Sequence, residues 1–134
     1  MRKSIHRVVI CLAAALLFAW LAPGAAGAGG SLDGKTFSGT LTKKGKAKGN
    51  KDTFTFKDGK FRSTACDTYG FGDAAYMATA GGGGTAFEAT TTSPKEGTMK
   101  WKGTVQGDAI EGTAVWVKAG QKDADYTFKG TLKK

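Results

Sequence analysis

Thr53-Phe54-Thr55-Phe56-Lys57-Asp58-Gly59-Lys60-Phe61-Arg62-Ser63 (residues 53–63) holds two alternating segments around a two-residue turn. Phe54, Phe56, Phe61 and Ser63 fall on one face, and Thr, Lys and Arg on the other, which is the period of a half-buried strand. Asp-Gly is a strong hairpin signal, because a type I′ turn needs positive φ at both central positions. Pairing across it sets Phe56 opposite Phe61 and Phe54 opposite Ser63, so the two inward faces coincide without adjustment.

The same logic extends along the chain. Gly107-Asp108 joins a second pair of alternating segments and sets Val105 opposite Ile110, Gly103 opposite Gly112, Trp101 opposite Ala114 and Met99 opposite Trp116. Further segments centre on Phe37–Leu41, Tyr76–Ala80, Phe87–Thr91 and Tyr126–Leu132. No stretch after residue 34 sustains a 3.6-residue period. With 21 Gly, only 2 Pro and frequent Thr, the composition suits short strands and tight turns better than helices. An apolar-x-Gly-Thr pattern recurs at Phe37–Thr40, Trp101–Thr104, Ile110–Thr113 and Phe128–Thr131. Each of these glycines falls on the inward face, where a missing side chain lets a strand coil sharply. If the first and last strands pair, the glycines form one bend line and the sheet closes. The expected fold is all-β: an antiparallel, eight-stranded up-and-down (meander) barrel over residues 35–134, after a short segment at 29–34.

Eight sequential strands closing on themselves resemble the calycin barrels, that is, the lipocalins, fatty-acid-binding proteins and avidins, and also short exported bacterial β-barrel proteins. The resemblance covers Leu32 to Lys134 and implies a lipocalin-like fold with a ligand pocket at one barrel mouth. It carries over no site residues. Thr36-Phe37 stands where the lipocalin Gly-x-Trp signature would be expected, and the avidin biotin-site residues find no match.

The N-terminus reads differently. Met1 to Arg7 is basic, Val8 to Leu21 is apolar, and Ala26-Gly27-Ala28 fits a small-x-small cleavage site. This is the pattern of a secretory signal peptide at residues 1–28, too short in its apolar run for a membrane span. Cleavage after Ala28 would leave 106 of the 134 residues, with no transmembrane span, in the periplasm or outside the cell. The net charge would fall from +9 to +6 with the loss of Arg2, Lys3 and Arg7. His6, the only histidine, and Cys11 would leave as well, so Cys66 would stand alone. Ser-His-Asp, Cys-His and His-ligated metal chemistry are then unavailable, and no internal disulfide can form. The carboxylates show no paired spacing of the glycosidase kind. The expectation is a protein without catalysis, metal or cofactor.

Connection lengths supply the functional hint. The turns at Asp58-Gly59, Gly81–Gly84 and Gly107-Asp108 are short and share one end of a meander; Lys43–Lys51, Asp67–Asp73, Ser93–Gly97 and Ala119–Asp125 are longer and share the other. Binding residues concentrate on loops held by a rigid scaffold. A small apolar or aromatic ligand at the long-loop mouth would meet Tyr69, Phe71, Tyr76, Trp101, Trp116 and Tyr126. Either the inward aromatics line a cup or they fill the barrel, since eight strands enclose little room. Either Tyr69 and Phe71 contact a ligand or one of them folds inward as a lid. Lys43, Lys44, Lys46, Lys48 and Lys51 form a cluster suited to an anionic envelope component or protein partner, the alternative function, with a solid barrel core. Nucleic acid is not expected, because no aromatics interleave with the lysines. The hairpin register sets Cys66 beside Lys51 on the outer face as a candidate reactive thiol; a twist after Ala65 would instead carry it inward.

Overall fold

A computed structural model describes residues 27–28 and 31–134. The leader assigned to residues 1–28 lies outside the described residues except for Gly27 and Ala28. The strands are β1 (Gly27–Ala28), β2 (Thr36–Lys43), β3 (Asn50–Lys57), β4 (Lys60–Ser63), β5 (Asp73–Gly81), β6 (Gly84–Ser93), β7 (Gly97–Gln106), β8 (Ala109–Val117) and β9 (Ala124–Leu132), with one helical turn, α1 (Thr64–Asp67). From β2 to β9 each strand pairs antiparallel with its neighbour in sequence, and β9 returns to β2. Phe37 faces Leu132, Gly39 faces Gly130, and Leu41 faces Phe128 across the seam. The barrel is closed, antiparallel and eight-stranded.

The turns set the register as the sequence requires. Phe56 pairs with Phe61 and Phe54 with Ser63, around Asp58 at φ 52° and Gly59 at φ 77°. Met99–Trp116, Trp101–Ala114, Gly103–Gly112 and Val105–Ile110 all pair across the second hairpin. There only Gly107 has positive φ (58°), as a type II′ turn needs.

The interior is filled. Phe37, Phe54, Phe56, Phe61, Tyr76, Phe87, Trp101 and Phe128 are each at most 2% exposed. Their rings meet at centroid distances such as 5.0 Å for Phe61–Trp101 and 5.1 Å for Phe54–Phe128. The inward glycines make room for this plug. A Cβ on Gly103 would lie 2.7 Å from Phe128 Cζ and 2.9 Å from Phe87 Cε1. On Gly39 it would run into the Lys129 carbonyl, because the β2 and β9 backbones approach closely there. These small residues admit the plug and the bend; they do not keep the barrel centre hollow.

The third strand departs from expectation. β4 stops at Ser63, and α1 takes over where alternation would continue through Ala65. Asp52, inward on β3 with Phe54 and Phe56, explains the break. Its carboxylate accepts from the Ala65 N–H (2.9 Å), the Ser63 hydroxyl and the Thr64 hydroxyl (3.4 Å), and so caps α1 from the neighbouring strand. Ser63, at the N-cap position, makes no side-chain cap of its own. The helical turn carries Cys66 inward to 6% exposure, which corrects its placement on the outer face beside Lys51.

Residues 31–34 form a turn that closes the short-turn end. Leu32 is 2% exposed beneath the plug. The Asp33 carboxylate accepts from the Gly59 N–H (3.0 Å) and the Tyr76 hydroxyl (2.8 Å), while the Tyr76 oxygen accepts from the Leu32 N–H (2.9 Å). Beside this latch β1 pairs with β5 at Ala78 and Met77, beyond the reach of the four-residue β4. The outward faces of β6 to β9 are mostly polar, Val115 and Val117 on β8 apart, with Glu88 across from Lys102 and Glu111 across from Lys129. That is the inverse of the apolar outer band of a membrane barrel. Among the described residues no helix is long and apolar enough to cross a membrane.

Candidate functional site

The four inward rows of β2, β7, β8 and β9 continue above the plug to the long-loop end. Towards that end they carry Leu41, Met99, Trp116 and Tyr126. The α1 turn adds Ala65 and Cys66, the loop after it adds Tyr69 and Phe71, and Asn50 and Glu96 complete the rim of a cup of about 260 Å³. The barrel is therefore solid below and concave at its mouth.

The loops around the cup are braced. The Ser93 hydroxyl, 3% exposed, donates to the Tyr69 carbonyl (2.7 Å) and accepts from the Glu96 N–H (3.1 Å). Trp116 Nε1–H donates to the Glu96 carbonyl (2.6 Å), which fixes the indole against the rim. Lys118 pairs with the Glu96 carboxylate at 3.1 Å. The 68–72 loop is tied back to α1 through Tyr69 N–H and Phe71 N–H, both donating to the Cys66 carbonyl.

Four of the six ligand-contact candidates meet here: Tyr69, Phe71, Trp116 and Tyr126. Phe71 folds inward at 5% exposure, whereas Tyr69 stands 61% exposed, so the two loop aromatics divide the roles of lid and rim between them. Tyr76 and Trp101 belong to the plug. Tyr76 reaches the opposite end through Asp33, and the Trp101 Nε1–H donates to the Thr91 hydroxyl at 3.1 Å. Among the described residues every ring–ring contact lies within the plug, and none involves Tyr69, Phe71, Trp116 or Tyr126.

Burial pushes the Cys66 thiol up to about 11, against the opposing hydrogen bond from Ser63, with Asp52 and Asp67 adding to the rise. A thiol that is buried and held protonated is a poor nucleophile, which weighs against a reactive role for Cys66. Burial likewise raises the Tyr126 phenol, with Cys66 and Tyr69 adding to it. Lys43, Lys44, Lys46, Lys48 and Lys51 are all exposed. Lys43 sits directly across from Tyr126 at the rim. Leu41 and Met99 are inward by alternation from Phe37 and Trp101 but carry no mark in the sequence as cup residues, and Asp52, inward by alternation from Phe54, stands out there no more than they do. No protein family, curated protein or solved structure matches this chain.

Proposed function

We propose that this is an exported, non-catalytic barrel of calycin type that holds a small, flat apolar or aromatic molecule in its mouth. The observation that carries this reading is the cup of about 260 Å³ whose four aromatic side chains have no ring partners among the described residues. In the plug each ring is satisfied by others at edge or tilted geometry; in the cup a ligand would supply that partner. The volume lies just under the usual range for drug-sized sites, which favours a small ligand seated in part outside the rim. Export rests on the basic, apolar and small-x-small order of residues 1–28. Absence of catalysis is supported by chemistry: the Cys66 thiol is held neutral, and the Glu96 carboxylate is engaged by Lys118.

The test uses tryptophan emission. The exported protein keeps Trp101, buried in the plug, and Trp116, half-buried at the rim. Titration with a hydrophobic fluorophore is expected to quench emission saturably, and Trp116→Phe to abolish most of that response while Trp101 still reports a folded core. An unchanged spectrum across the titration would remove the cup from consideration. Native mass spectrometry of protein purified from its source identifies any retained ligand.

A further inference from the structure

The lysine cluster is left over once the cup has a role, and its place on the barrel gives it one. Lys43 ends β2 at the rim, and the loop from Lys44 to Gly49 rises from there to Lys51 on β3. The loop is anchored at its start, where the Lys44 N–H donates to the Asp125 carbonyl (2.8 Å) and the Lys46 N–H to the Lys43 carbonyl (3.0 Å). Among the described residues none of the five lysines enters an ion pair. Two acidic residues at this end are already engaged, Asp67 by Arg62 and Glu96 by Lys118. Tyr69 stands exposed on the same rim.

The geometry points to a docking surface for anionic lipid headgroups, made by Lys43, Lys44, Lys46, Lys48 and Lys51 with Tyr69, which turns the open mouth of the barrel toward a membrane. Three features favour a lipid surface over a protein. The loop offers no side chain larger than Ala besides its lysines and Asn50, so it lacks the aromatic or Arg anchors on which protein interfaces depend. Mobile ammonium groups gain from a diffuse sheet of negative charge without needing a fixed partner geometry. A tyrosine on the rim, apolar in body and polar at its tip, suits the headgroup layer. The consequence deepens the reading of the cup: its ligand would come from, or go to, the membrane surface that the mouth faces. This rests on the export reading, and the docking itself does not require that the cup be occupied.

The experiment is co-sedimentation of the exported protein, purified from cells that express the full chain, with vesicles of phosphatidylglycerol and phosphatidylcholine, and with vesicles of phosphatidylcholine alone. Binding is expected to the anionic vesicles only, and to be released by high salt. Each lysine near the surface contributes a factor of about five. Lys46→Gln with Lys48→Gln should therefore weaken binding about twenty-five-fold, and Tyr69→Ser should weaken it further. Both lysines are exposed and outside the cup, so fluorophore binding by the double variant should match the parent, which separates failure of docking from failure of the cup. Equal binding to both vesicle types, or an unchanged affinity in the double variant, would overturn the proposal. So would binding to soluble polyglutamate but not to vesicles, which would assign the loop to an acidic protein.

Discussion

Cys66 and Asp52 show how one inward carboxylate redirects a segment. Alternation from Phe61 through Ser63 predicts a strand that continues past Ala65, with Cys66 outside; what it does not reveal is that Asp52, inward by the same alternation, offers a carboxylate to the Ala65 N–H thirteen residues later. The parity was legible, but the capping was not, because it depends on which hydrogen bonds the strand end forgoes. Burial of the neutral thiol has a pH consequence. The unfolded thiol ionises near its usual value of 9 and the folded one near 11, so below 9 the fold keeps its full advantage. As pH rises from 9 to 11 the unfolded state loses its proton first, and stability falls by about 2 kcal/mol. Denaturant melts across that window should show the fall, and Cys66→Ala should flatten it. In the native protein a thiol reagent should modify Cys66 only after denaturant is added, whereas Asp52→Ala, which frees the α1 cap, should allow labelling without it.

Strand pairing was the most legible level. Two turns with glycine in left-handed backbone fixed two hairpins, and the matching Thr-Phe-x-Gly-Thr-Leu ends at residues 36–41 and 127–132 identified the strands that close the wall. The glycines in that seam are demanded by contact with the opposite backbone. Gly39→Val would drive its Cβ into the Lys129 carbonyl, and Gly130→Val would meet Ser38, whose oxygen lies 2.8 Å from the added atom. Each is expected to destabilise the fold by about 1–3 kcal/mol, read as a lower urea midpoint at unchanged slope. Ser38→Val, exposed on the same strand, is the control and should shift the midpoint little. The short length of β4 had no such signal, since it follows from the cap on α1.

The two ends of the barrel are built for different purposes. Inward parity names the residues that enter the interior but not how much space they leave, so the solid centre and the concave mouth became visible only in three dimensions. The lead-in residues proved to be a bung: Leu32 seals the short-turn end, and Asp33 holds the β3–β4 turn and Tyr76 together. Asp33→Ala removes the acceptor for both groups and should cost about 1–3 kcal/mol. In a domain of this size that lowers the thermal midpoint by roughly 4–8 °C per kcal/mol. Fluorophore binding at the far mouth should be unaffected at temperatures below the transition, and a loss of binding there would mean that the two ends are coupled. The seam has one further consequence, in time instead of space. Every other wall pairing joins strands adjacent in sequence, but β2 must wait for residues 126–132 on β9, the last strand of the barrel. Until β9 has joined β2, the wall has two open edges and no barrel exists. A wall that closes only when the first and last strands of the barrel are both present leaves the chain open and threadable until the second of them arrives.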